Sequence, residues 1–347
     1  RRRQEQGRTT AGARGIPSNQ LTPFPLAEGQ RGEPIRDLQR RLGAAGYAPV
    51  GAEAGFFCVS TIDAVSRFQQ ARGLNVNGIC DEQTWLAVIE AGHQLGDRTL
   101  LLKAPQLRGD DIEELQRSLN HVGFDCGRPD GILGPATIRA LTDFQKNCGL
   151  PADGICGRKT VKMLDVLRRQ SGSGPGVASV REQESVRTPT SLASLRIVVG
   201  QFGGLSSVGR SVARSLRQNG ATVMSTDEYE AGAQAAAANR FGATMYIGFE
   251  AHPIFCCDIS YFAVPAFVSV GGRSLAAHVV QQFEQTLPMS PTLRGMRLPV
   301  LRETQMPAVL CAMGPVREVV DATSLITSAV VEAARRWGDG PLPMPDV

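Results

Sequence analysis

The residues best suited to chemistry crowd into one short stretch, FEAHPIFCCD, which holds Glu250, His252, Cys256, Cys257 and Asp258. Carboxylate, imidazole and thiolate groups are metal ligands, and a carboxylate beside an imidazole can move protons. The spacing argues against a built centre, because no His pair at i, i+4 and no CxxC organises the donors. The stretch reads as a strand end followed by a loop, where Glu250 is a partly solvated polar residue. Ser206 and Ser207 could be nucleophiles only with a histidine base, and none is identifiable beside them. The chain has four histidines, His93, His121, His252 and His278, and His252 alone falls in this region. Cys311 sits in an apolar run, and GQFGG (Gly200 to Gly204) lacks the lysine of a phosphate-binding loop.

The elements around this stretch set where any site must lie. From Arg196 onward short apolar runs (RIVVG, ATVMS, TMYIGF, a run near Tyr261, PAVLCAMG) alternate with helical segments, the last of them through Thr323 to Trp337. That alternation predicts an α/β domain with a mostly parallel sheet. In such a sheet the ligand site lies beyond the C-terminal ends of the strands.

The first half of the chain is repetitive. GEPIRDLQRRLGAAGY (Gly32 to Tyr47) answers to GDDIEELQRSLNHVGF (Gly109 to Phe124), and Thr61 to Thr84 answers to Thr137 to Thr160. Leu38/Leu42, Leu115/Leu119, Ala64/Phe68 and Ala140/Phe144 recur at helical spacing, and Gly46, Gly73, Gly123 and Gly149 stop the helices. Each copy reads as a compact all-α three-helix unit. Asp130 and Asp153, each followed by glycine, close tight turns and are also the polar residues a ligand would meet. From Arg168 to Ser194 the text is rich in Gly, Ser, Pro and charge with no apolar period, which reads as a linker. Thr188-Pro189-Thr190 within it offers a phosphorylation site, although an ordinary loop is the simpler reading.

At 347 residues with 42% hydrophobic and 20% charged residues, the chain is sized for several globular domains. The division expected is a disordered basic leader over 1–28, repeats over 29–95 and 104–168, a linker over 169–194, the α/β domain over 195–338 and a tail over 339–347. The net charge of +4 is partly the leader's and gives no basis for a nucleic-acid partner. No apolar run nears the roughly 20 residues of a membrane span. No secretory h-region is visible, which points to the cytoplasm unless a signal precedes Arg1. Eight cysteines without CxxC spacing read as reduced, mostly buried thiols.

The motifs LQ, FQ, DGILGPAT (Asp130 to Thr137) and ADGICGRKT (Ala152 to Thr160) resemble the type 1 peptidoglycan-binding domain. The first copy is worn: AGFFCVST has lost the turn aspartate and NGICDEQT one glycine. The last third resembles the zinc-dependent N-acetylmuramoyl-L-alanine amidases, through IVVGQFGG (Ile197 to Gly204), ATMYIGFEAH (Ala243 to His252), RGMRLPVLRETQMP (Arg294 to Pro307) and MPAVLCAMG (Met306 to Gly314). That resemblance implies a zinc site of two histidines and a glutamate with a catalytic glutamate nearby. Carried over by position, the implied residues are Phe202, about Leu205, Glu250 and Ala312, which vacates the site. With the repeats, the whole resembles CwlM-type amidase-like proteins, implying a catalytically inactive regulator of peptidoglycan synthesis. The expected ligand is peptidoglycan or a muropeptide-like fragment, met by Glu250, His252, Asp130 and Asp153. The expected protein partner is a cytoplasmic cell-wall synthesis enzyme, and no metal or other cofactor is expected. The alternatives are an active zinc amidase and a secreted wall-binding protein.

Overall fold

The computed structural model describes residues 24–340 apart from 173 and 266. Most of the leader and the tail therefore lie outside the described residues. Residues 24–28, assigned above to the leader, belong to the first repeat. Leu26 is buried in its core and pairs with Cys80, and Phe24 packs on Trp85.

Repeat 1 comprises α1 (Glu33–Ala44), α2 (Val59–Arg72) and α3 (Glu82–Glu90); repeat 2 comprises α4 (Asp110–His121), α5 (Pro135–Asn147) and α6 (Arg158–Gln170). The leucines and phenylalanines at helical spacing fill one core in each, with Leu38, Leu42 and Phe68 answering to Leu115, Leu119 and Phe144. The glutamine of each LQ or FQ pair is the polar hub of its half-repeat. In repeat 2 the Gln116 amide donates to Asp130 Oδ1, the Ile132 carbonyl and Thr137 Oγ1 at 2.8–3.1 Å, and its oxygen accepts from Gly131 N at 2.8 Å. Gln145 repeats this with Asp153, Ile155, Thr160 and Gly154. A buried amide satisfied on every side ties a turn to the next helix start, and leaving it unmade is costly. The worn copy compensates for its losses. The Glu53 carbonyl takes the missing aspartate's place on Gln39, and Asp81, standing where a glycine was lost, caps α3 by accepting from Thr84 N at 2.7 Å.

The expected linker carries a helix, α7 (Val177–Arg187), so a structureless reading of 169–194 needs correction. Its sequence lacks an apolar stripe, and it is held by polar contacts. Glu182 pairs with Arg128 of repeat 2 at 2.8 Å and accepts from Ser269 of the last domain at 2.6 Å.

The third domain is a three-layer α/β structure. Its strands are β1 (Arg196–Phe202), β2 (Thr222–Thr226), β3 (Met245–Ala251), β4 (Cys256–Val264), β5 (Phe267–Val268), β6 (Thr292–Met296) and β7 (Ala308–Gly314), in the order β2-β1-β3-β7-β4-β5 with β6 beside β4. Strands β2, β1, β3 and β7 run parallel, and β4 lies antiparallel to β7. The sheet is thus mostly parallel but mixed. Helices α8 (Ser206–Gln218), α10 (Val270–Thr286) and α13 (Thr323–Asp339) cover one face; α9 (Ala231–Phe241) and the short α11 (Pro299–Glu303) cover the other; α12 (Val316–Asp321) follows β7. No helix among the described residues is long and apolar enough to cross a membrane.

Candidate functional site

Side chains alternate between faces along a strand, so register decides which residues can meet. Phe202 on β1 stands opposite Glu250 on β3, Glu250 opposite Ala312 on β7, and Ala312 opposite Asp258 on β4. These four form one row across the C-terminal end of the parallel strands, on the face shared with Tyr246 and Leu310. The row lies where α/β chemistry belongs, and its composition is one aromatic ring, two carboxylates and a methyl group. Gly203 follows at φ +75°, where an added Cβ would stand 2.8 Å from that of Ala251, so the turn out of β1 is packed tightly on β3.

Each donor in the row is isolated or engaged. Burial pushes the Glu250 carboxyl up, an effect the charge of nearby His252 only partly offsets. Asp258 pairs with Arg294 at 3.4 Å and accepts from the Thr292 hydroxyl. At about 4.8 Å per strand, Glu250 and Asp258 are roughly 10 Å apart along the sheet with Ala312 between them. Cys257 belongs to the core on the opposite face, and burial pushes its thiol up to about 12. Burial first, then Asp258, also holds the Cys256 thiol above its ordinary value, against the thiolate a metal requires. His252 receives the Ile254 N–H on Nδ1 at a long 3.5 Å. The donors that crowd together in the sequence are thus split by the pleat. No three His, Cys, Asp or Glu side chains among the described residues form a metal-holding group.

Leu205 departs furthest from a ligand. Fully buried at the start of α8, it packs in the core beneath that helix, away from Phe202, while its backbone N–H donates to Gln201 Oε1 at 3.0 Å. The same end of the sheet is knitted by amides: Tyr246 donates to Gln234 Oε1 at 2.7 Å and Gln234 Nε2 donates to the Gln201 carbonyl at 3.0 Å. A zinc ion does not fit these residues, since Phe202, Leu205 and Ala312 offer no lone pair.

Asp130 and Asp153 are turn-closing residues far from this row. Asp153 is exposed and accepts from Ile155 N and Gln145, bonds that lower its pKa. Asp130 is covered by the third domain, where Arg302 Nε donates to its carbonyl oxygen, and burial raises its carboxyl. Sequence reasoning missed this junction. Arg302 and Arg297, both buried, reach Glu90 at the end of repeat 1 at 3.0 and 3.4 Å; Arg297 also reaches Glu113 of repeat 2 at 3.4 Å. Arg108 pairs with Glu303 at 2.8 Å. Both repeats are thereby fastened to the stretch RGMRLPVLRETQMP, whose arginines look like ordinary surface charges until the tertiary contacts are known.

Residues 31–88 and 108–164 each match the peptidoglycan binding domain family. The two helical units are peptidoglycan-binding repeats. The N-acetylmuramoyl-L-alanine amidase CwlM of Mycobacterium tuberculosis is 45% identical over 140 residues, which is 39% of this chain and 34% of that protein. The amidase CwlL of Bacillus licheniformis is 30% identical over 171 residues, covering 43% of this chain and 48% of that protein. The chain spans less than half the length of these curated relatives. Among solved structures, the amidase Ami1 of Mycobacterium smegmatis aligns over 43% of this chain and 98% of its own, at 12% identity and a TM-score of 0.36. The chain is similar to CwlM-type amidase-like proteins, with two peptidoglycan-binding repeats ahead of a mostly parallel α/β domain.

Proposed function

We propose that this chain is a non-hydrolytic member of the amidase-like group that binds peptidoglycan, its precursors or a protein that handles them, and regulates wall synthesis. The observation that supports this reading is the row at the strand ends, in which Phe202, Glu250 and Ala312 stand side by side with Leu205 turned into the core. Hydrolysis in the manner of a zinc amidase needs three ligands, an open coordination position and a general base. Of the four mapped positions Glu250 alone carries a donor, which does not make up that set. Eight free cysteines, five of them buried, suit a reducing compartment, and a cytoplasmic location with a synthesis enzyme as partner is part of the proposal.

The test is incubation of the full chain with purified peptidoglycan sacculi, scoring co-sedimentation and release of new L-alanine amino termini. Binding without release is expected. Release of those termini favours the second reading, an active amidase, which the names of the relatives support.

A further inference from the structure

Arg117, on α4, walls two adjoining cavities at the junction of the three domains. The larger, about 580 Å³, lies between α4, the end of α6, the first turn of α7 and the turn after β4; the smaller, about 310 Å³, lies between α4, the end of α2 and the chain at the ends of β4 and β6. Pro265 walls both. Together they are of the size that takes a small ligand.

The charges around them are unevenly satisfied. In the smaller cavity Arg72 is held by Asp110 at 2.6 Å and Arg297 by Glu113 at 3.4 Å; in the larger, Arg168 is 3.6 Å from Glu114. All three acids are thus committed to an arginine. Arg117 makes no ion pair or hydrogen bond among the described residues, although its charge acts on Glu113. Arg297, 3% exposed at its side chain, is shared between Glu90 and Glu113, both at 3.4 Å. Ser118, 4% exposed, faces the larger cavity with no side-chain hydrogen bond among the described residues. A guanidinium without an ion pair and a hydroxyl without a partner on one cavity wall suit a ligand oxyanion. Phe267 and Pro265 supply the apolar wall that a sugar ring or methyl group needs.

We propose that these adjoining cavities bind a carboxylate-bearing glycopeptide fragment of muropeptide size, with Arg117 receiving an anionic group. The site is distinct from the strand-end row. Its geometry stands on the observations above; the glycopeptide class alone rests on the function proposed for the chain. Each domain contributes a wall, so occupancy also requires the docked arrangement.

The test is calorimetric titration of the full chain with N-acetylmuramoyl-L-alanyl-D-isoglutamine, with inorganic phosphate as a separate probe. Arg117→Ala removes an exposed side chain and is expected to weaken binding of the muramyl dipeptide about tenfold, the worth of one charge-assisted bond. Ala178→Trp, which fills the larger cavity from α7, is expected to abolish it, while Arg214→Ala on the exposed face of α8 leaves it unchanged. No binding by the parent protein, equal affinity in both cavity variants, or binding of phosphate alone overturns the proposal. Sacculus sedimentation run alongside separates the two claims. Retained sacculus binding without dipeptide binding refutes this site and spares the wider reading, and the reverse result refutes the wider reading and spares the site.

Discussion

Phe202, Leu205 and Ala312 show how far single residues decide the reading. Leu205 is fully buried beneath α8, so Leu205→Glu is expected to lower stability by about 3 kcal/mol or more, measured by urea unfolding. A glutamate placed there therefore also disturbs the core beneath α8. Glu250 gives a pH-dependent prediction. Its carboxyl is raised by burial, so its contribution is most favourable below the unfolded pKa and is lost as pH rises through the folded one. Glu250→Gln is expected to be more stable than the parent near pH 7, with the difference vanishing near pH 4, in paired denaturant titrations. Phe202, Leu205, Glu250 and Ala312 stand out in the sequence because the phrases around them resemble the amidases, and the register sets Phe202, Glu250 and Ala312 side by side. The split of the cysteine pair was legible only in part: strict alternation places Cys257 on the face opposite Asp258, but β4 had not been separated from a loop.

At the scale of elements, the repeats were read well because their signal is local: apolar spacing, turn glycines and the LQ and FQ pairs. The role of the glutamines was not, since a buried amide with bonds to a turn and a helix start leaves no period in the sequence. Gln145→Leu is expected to cost about 3 kcal/mol by stranding Gly154 N, Ile155 O and Asp153, measured by thermal and denaturant unfolding. Of the elements that escaped sequence reasoning, which include β5, α11 and α12, two show the physical reason most plainly. Helix α7 is amphipathic in no useful sense and exists through Arg128, Glu182 and Ser269, contacts distant in sequence. Strand β6, TLRGM, is mostly exposed along its length and so lacks the alternation of a half-buried strand.

For the whole molecule, the arrangement of domains rests on arginines that sequence cannot distinguish from solvated ones. Arg302 contacts buried Glu90 and the Asp130 carbonyl, joining the last domain to both repeats. Arg302→Ala leaves Glu90 buried with only the longer contact to Arg297, and breaking such a pair typically costs about 3–5 kcal/mol. The expected outcome is undocking of the repeats, seen as a larger radius in solution scattering and faster proteolysis near residues 91–107. The third domain docks against the turn at Asp130 through Arg302, whereas the Asp153 turn is exposed. The central claim is that the amidase scaffold no longer carries a hydrolytic centre. It is tested most directly by the zinc content of the purified full chain after equilibration with excess zinc and desalting. The account predicts far less than one zinc per chain, and a stoichiometric zinc lost on Glu250→Ala or His252→Ala would contradict it.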